Sequence, residues 1–279
     1  MTLSRRDVID LLAANGLRPS RALGQNFVVD PNTVRRIARL AAVGPGDRVL
    51  EIGAGLGSLT LALVEQGAQV TAVEMDRGLV PVLRSTVGPA GVHVVEGDAL
   101  LLDWSTVLGR EEPWVLVANL PYNVATPLVI TLMERAPTVE RMLVMVQLEA
   151  GERLAARPGD DAYGAVSVRV AYWAEAELVG RVPPTVFYPK PRVDSALVAV
   201  RRRPTPAVST DLVSYARFSE VLRAGFAQRR KMLRRSLAAV VVPEAFASAG
   251  VAPDARAEEL DVFAWGRLAA WTPNAPSLS

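Results

Sequence analysis

The chain has 279 residues, half of them hydrophobic, with a net charge of +2, no cysteine and one histidine. Without cysteine there is no disulfide, thiolate nucleophile or thiolate-bound zinc, and one histidine is too little for a histidine-built metal or catalytic site. No apolar run reaches the roughly 18 residues of a membrane span, and Asp7 and Asp10 among the N-terminal arginines speak against a secretion signal, so a cytoplasmic protein with no membrane partner is expected.

In chain order, Ser4 to Asn15 reads as a helix stopped by Gly16, and Pro31 to Ala42 as a second, amphipathic helix. The strand-like run Arg48-Val49-Leu50 then leads into Glu51-Ile52-Gly53-Ala54-Gly55-Leu56-Gly57-Ser58, which opens a helix. Three glycines at alternate positions let the backbone approach a ligand, and Ser58 can cap the helix. Dinucleotide enzymes use a related loop. Here the spacing is G-x-G-x-G, and the Glu51 carboxylate would repel a pyrophosphate but can orient the methionine end of a sulfonium cofactor. S-adenosylmethionine is therefore favoured over NAD.

Glu74 ends the next strand, Gln69 to Val73, where nucleoside-binding α/β folds hold the ribose hydroxyls. Asp76 reads as a helix N-cap, ahead of a helix to Val87. Asp98 follows a third strand in which His93 reads as a packing residue, and its carboxylate can accept an adenine amino group. The apolar run Trp114 to Ala118 reads as a buried parallel strand and delivers Asn119-Leu120-Pro121-Tyr122 at its C-terminal end. There an amide oxygen and a backbone carbonyl can accept hydrogen bonds from an exocyclic NH2, while Tyr122 offers a face for a base. Helix from Pro127 to Arg135 and strands at Arg141 to Gln147, Val170 to Val182 and Ala196 to Val200 complete a sheet. Arg201 to Pro206 reads as a linker. Beyond it Tyr215, Phe218, Leu222, Phe226, Leu233 and Leu237 form the apolar stripe of a small helical domain.

The fold class expected is α/β, a doubly wound sheet with helices on both faces plus a small all-helical C-terminal domain. The boundaries are 1–203 for the sheet domain, 204–210 for the linker and 211–279 for the helical domain. From Arg181 to Arg235 there are 13 Lys and Arg against three acids. A basic segment on an otherwise acidic body is the footprint of a polyanion-binding face.

These motifs resemble the ribosomal RNA adenine N6-dimethyltransferases, most closely the small-subunit branch, over nearly the whole chain. Leu23-Gly24-Gln25-Asn26-Phe27 is similar to the family's N-terminal cofactor motif. Asn119 to Pro127, Gln147-Leu148-Glu149 and Tyr163 to Val168 resemble the branch's central motifs, and Phe226 to Lys231 and Arg256 to Leu260 its C-terminal signatures. Phe187 to Ser195 resembles the F-x-P-x-P-x-V-x-S element. Val28, Arg21 and Leu148 depart mildly from the usual residues.

The resemblance implies a class I methyltransferase sheet of Rossmann-like form and S-adenosylmethionine as cofactor. It implies cofactor contacts at Asn26, Val28, Glu51, Gly53, Gly55, Glu74, Met75, Asp98, Ala99 and Asn119. The catalytic group would be Asn119, Leu120, Pro121 and Tyr122, with Tyr122 and Phe187 stacking on the target base. Lys190, Arg192, Arg229, Arg230 and Lys231 would bind RNA. The target implied is two adjacent adenines in the 3′-terminal hairpin of small-subunit rRNA, in a 30S or pre-30S particle, with a monomeric enzyme. Two alternatives share the fold: the large-subunit, antibiotic-resistance branch, and a non-catalytic RNA-binding assembly factor.

Overall fold

The computed structural model describes residues 2–121, 124–228 and 231–271. Helix α1 (Arg5–Ala14) starts on a reciprocal cap, in which the Ser4 hydroxyl accepts from the Asp7 amide and the Asp7 carboxylate accepts from the Ser4 amide. A short strand β1 (Phe27–Val28) follows, then α2 (Pro31–Leu40), capped by Asp30 with proline at its first position. The alternation continues through β2 (Arg48–Ile52), α3 (Ser58–Glu65), β3 (Gln69–Glu74), α4 (Leu79–Val87), β4 (His93–Glu96), α5 (Trp104–Leu108), β5 (Trp114–Asn119), α6 (Ala125–Arg135) and β6 (Val139–Gln147). Next come α7 (Leu148–Ala155), α8 (Ala165–Trp173), β7 (Ala174–Val182), β8 (Phe187–Tyr188) and β9 (Ser195–Arg202), and finally α9 (Tyr215–Phe226), α10 (Leu233–Ser236), α11 (Glu244–Ser248) and α12 (Val262–Ala270).

Seven strands form one sheet in the order β4-β3-β2-β5-β6-β9-β7. The pairs β4–β3, β3–β2, β2–β5 and β5–β6 are parallel, and β9 pairs antiparallel with β6. The central strand β5 is buried along Trp114 to Ala118, as a parallel strand covered on both faces must be. Chain order reverses between β2 and β5, and such a switch point opens a crevice at the strands' C-terminal ends. Among the described residues, no helix is long and apolar enough to cross a membrane.

The compact units do not follow the expected division at residue 203. One comprises residues 1–151 and 177–202, the other 152–176 and 203–279. The stretch from Val170 that reads as strand is helical as far as Trp173. Its alternating Val168, Val170 and Tyr172 are all buried, because α8 packs against both α9 and α12 and is covered on more than one face. Tertiary packing overrides the β-branched pattern there. The expected linker is tied down as well: the Ala207 amide donates to the Tyr172 carbonyl at 2.8 Å, and Val208 is buried. Arg202 ends β9 and spends its guanidinium on the carbonyls of Leu132, Met133, Ala136 and Val139, closing the C-terminal turn of α6. His93 is exposed on the edge strand rather than packed.

In the second unit the apolar stripe is core as expected, with Phe218, Leu222, Leu233 and Leu237 buried around Trp265. The helix breaks after Phe226 and restarts at Leu233. Gly225 lies against the indole, where an added Cβ would stand 2.2 Å from Cη2 of the fully buried Trp265. Gly225→Ala should gain about 0.8–1 kcal/mol of helix propensity. Overpacking costs about 1–3 kcal/mol, so we expect net destabilisation, read as a lower melting temperature; a raised one would show that the indole yields freely.

Candidate functional site

Four loops at the C-terminal ends of β2, β3, β4 and β5 line one cavity, joined by the strap of residues 22–28. At the end of β2, Gly53 has φ 73° and donates its amide to the Val73 carbonyl at 2.8 Å, turning the chain across β3. Gly55 has φ 59°, and a Cβ there would meet the Phe27 ring at 3.0 Å. Gly53, Gly55 and Ser58 line the cavity, whereas Gly57 is required by packing, since its Cβ would lie 2.5 Å from Val87 Cγ1. Gly57, not Ser58, is the N-cap of α3, and the Ser58 hydroxyl is buried with no partner.

The two carboxylates of the site differ. Glu51 is buried in the cavity wall and its Oε2 has no hydrogen-bond partner. Burial pushes its carboxyl up to about 8, with the neighbouring Thr60 hydroxyl opposing and the Glu74 charge adding. An orphaned carboxyl oxygen on a cavity wall fits a cationic group and nothing apolar. Glu74 is also buried, but its Oε1 accepts the amides of Met75 and Asp76 at 2.9 Å and its Oε2 that of Gly55 at 2.8 Å. Burial raises its pKa while these three donors pull it back. A carboxylate offers about four acceptor sites, so Glu74 keeps room for one more donor rather than for two hydroxyls.

Met75 is half-exposed, and with Asp98, Ala99 and Leu100 it walls the cavity on the β3–β4 side. Asp98 braces its own turn by accepting the Leu100 amide at 2.9 Å. Asp76 sits one turn before its helix, which is capped by Gly78, and accepts from the Gly78 amide and from Gln25. On the β5 side stand Asn119, Leu120 and Pro121, with Asn26 and Val28 opposite on the strap. Asn119 Nδ2 donates to the Asn26 carbonyl at 3.0 Å. Only the amide nitrogen can donate, so the Asn119 Oδ1 is the prong left for a ligand.

One expectation changes. Strand β1 pairs antiparallel with β8, placing Val28 opposite Phe187. Strand alternation turns the Phe187 ring into the core with Val28, Val34 and Val182, where it is 1% exposed. It presents no open face to a base, so the stacking role expected of it is not supported. Tyr122 lies outside the described residues. Of the basic residues, Lys190 and Arg192 are exposed after β8, and Lys231 is exposed between α9 and α10; Arg229 and Arg230 lie outside the described residues. The signal that sequence reading missed is Gln25, which touches Asp76 across 51 positions and has no motif spacing to reveal it.

A family model described as Ribosomal RNA adenine dimethylase matches residues 17–272. The chain belongs to this family. Among relatives of the rRNA adenine dimethylase, Ribosomal RNA small subunit methyltransferase A of Thermobifida fusca (strain YX) is 49% identical over 282 residues, covering 97% of this chain and 96% of its own. Of the solved structures, a dimethyladenosine transferase from Plasmodium falciparum superposes with a TM-score of 0.73 at 25% identity, covering 86% of this chain and 94% of its own. The 23S rRNA methyltransferase ErmE gives 0.68 at 30% identity, covering 87% and 98%. The sheet is that of the class I methyltransferases, and the higher identity lies with the small-subunit relative.

Proposed function

We propose that this rRNA adenine dimethylase transfers methyl groups from S-adenosylmethionine to N6 of two adjacent adenines in the 3′-terminal hairpin of small-subunit rRNA. The product is N6,N6-dimethyladenine, formed in the cytoplasm by a monomer acting on a 30S or pre-30S particle during small-subunit biogenesis. The observation that carries the reading is Asn119 at the end of β5, fixed through its Nδ2 on the Asn26 carbonyl, in the same cavity as a Glu51 oxygen with no partner among the described residues.

The cofactor supplies an electrophilic methyl group on a sulfonium. Glu51 holds its ammonium, Glu74 accepts a ribose hydroxyl, and Asp98 accepts the adenine amino group beside Met75 and Ala99. Asn26, Val28, Gly53 and Gly55 shape the methionine end. The N6 lone pair of the target adenine is delocalised into its ring and is a poor nucleophile. In the first transfer, hydrogen bonds from the two N6–H groups to Asn119 Oδ1 and to the Leu120 or Pro121 carbonyl would favour a localised, tetrahedral lone pair aimed at the methyl group. In the second, the single remaining N6–H would keep one of them. As the N6–CH3 bond forms the S–CH3 bond breaks, S-adenosylhomocysteine leaves and the N6 proton passes to water, with positioning supplying much of the rate. The base enters unpaired, as a hairpin loop allows, and Tyr122 stacks on it. Lys190, Arg192, Arg229, Arg230 and Lys231 neutralise phosphates.

The deciding experiment offers labelled S-adenosylmethionine with naked 16S rRNA, 30S particles or 50S particles, and maps dimethyladenine by mass spectrometry. Label in small-subunit RNA is expected; label confined to 50S particles would transfer the assignment to the large-subunit branch. Glu74→Ala should lower cofactor affinity at least tenfold, since a hydrogen bond to a charged group contributes about 1.5–3 kcal/mol. Because Gly55, Met75 and Asp76 lose their acceptor, it should also lower the melting temperature. Calorimetry showing unchanged affinity removes Glu74 from the site.

A further inference from the structure

Between α1 and β1 the chain leading into the strap is braced from within, the Ser20 hydroxyl and carbonyl accepting the Leu23 and Gln25 amides, and the Gln25 side chain ties it to the loop after β3. Gln25 Oε1 accepts the Ser20 amide at 2.8 Å, closing the strap on itself. Gln25 Nε2 donates to Asp76 Oδ2 at 2.7 Å, tying the strap to the loop after β3. Asp76 is in turn fixed, because its Oδ1 accepts from Gly78 at 2.9 Å and its amide donates to Glu74 Oε1. The next strap residue, Asn26, supplies the carbonyl that takes Asn119 Nδ2. Three hydrogen bonds and the Gln25–Asn26 peptide link thus join Glu74 through Asp76 and Gln25 to the backbone acceptor of the Asn119 amide.

We propose that Gln25 is a positioning residue for methyl transfer, latching the strap to Asp76 so that the Asn26 carbonyl holds Asn119 with Oδ1 facing the target adenine. An Asn side chain rotates about two bonds, and without a fixed acceptor for Nδ2 its amide presents nitrogen and oxygen to the base in turn. Only the oxygen can accept N6–H. The latch therefore acts on the rate of the step rather than on the presence of any contact to the base. It also links the two halves of the site: the carboxylate at the end of β3 and the amide at the end of β5 share one scaffold. This assignment rests on the adenine-methylating reading given above.

The test is a reversed pair. In Gln25→Glu the Ser20 amide keeps its acceptor, but a carboxylate replaces the donor facing Asp76. In Asp76→Asn the Gly78 amide keeps its acceptor, and Nδ2 takes the place of Oδ2. The double variant restores one hydrogen bond across the latch with the direction inverted. Gln25→Glu is expected to reduce the single-turnover rate on saturating small-subunit substrate at least tenfold, with the double variant returning to within threefold of wild type. On an Asn119→Ala background the same Gln25→Glu change should cost less than twofold, because its effect passes through Asn119. A wild-type rate for Gln25→Glu, failure of the double variant to recover, or an equal loss on both backgrounds would each overturn the latch. Those outcomes are read with wild-type enzyme active in the same assay. Inactive wild-type enzyme on every rRNA substrate counts against the methyltransferase reading itself, and thereby against a latch that rests on it.

Discussion

Asn119→Ala is expected to reduce single-turnover methyl transfer at least a hundredfold while S-adenosylmethionine affinity stays within about threefold. The side chain's one described hydrogen bond goes to the strap backbone, through Nδ2, so Oδ1 is the group available to the target nitrogen. Removing one preorganised polar group that acts on the reacting atoms typically costs about 10²–10³ in rate, and each tenfold corresponds to about 1.36 kcal/mol of transition-state stabilisation. Cofactor affinity should hold because Glu51, Glu74 and the glycine loop are untouched. The measurement is a rapid-quench time course at saturating RNA, paired with calorimetric titration of the cofactor. A near wild-type rate would dismiss the localised-lone-pair mechanism; a parallel collapse of affinity would make Asn119 a cofactor ligand first.

Glu51 leads to a pH prediction with a definite sign. In the folded, ligand-free protein its carboxyl is pushed from the usual 4.5 up to about 8, so it is neutral near pH 7. Below pH 4.5 both folded and unfolded states are protonated and there is no penalty. Between about 5 and 8 the unfolded chain ionises while the folded one resists, and stability falls as pH rises, by about 1.4 kcal/mol per pH unit at the limit. Glu51→Gln should remove this slope, making the ligand-free variant progressively more stable than wild type up to pH 8. The same substitution should weaken the cofactor, whose ammonium favours ionised Glu51. Wild-type binding near pH 7 should therefore release a proton, seen as a binding enthalpy that varies with the buffer's ionisation enthalpy, and affinity should climb until about pH 8. A buffer-independent enthalpy would mean that Glu51 does not titrate on binding.

The strand ends were readable because each carries a polar residue at, or within three positions of, the close of an apolar run. Glu51, Glu74, Asp98 and Asn119 fall at successive ends of β2, β3, β4 and β5, and a parallel sheet brings such positions to one edge. What escaped was whatever depends on where a side chain points. Phe187 belongs to a motif, yet whether its ring or that of Tyr188 faces inward depends on the pairing of β8 with β1, two residues long and 160 positions away in the chain. Gln25 looked like one letter of a motif until Asp76 appeared beside it. Val170 and Tyr172 alternate as a strand would, and only the helices packed around them make that alternation irrelevant.

The chain enters the helical unit twice, first with residues 152–176 and again after 203, returning to the sheet between the two visits. The first visit contributes Tyr163, Val168 and Tyr172 to a core whose other buried members, Val208 through Ala269, come from the second. During synthesis at about 5–20 residues per second, these three side chains wait, uncovered, on the order of 5–20 s for their partners to emerge. A gene fragment ending near Arg203 would leave them exposed for good, carrying an apolar patch onto an otherwise complete sheet unit. The helical part is therefore no detachable appendage. It cannot be trimmed away, or exchanged for another protein's by joining at one point, without also replacing the insertion in the middle of the sheet.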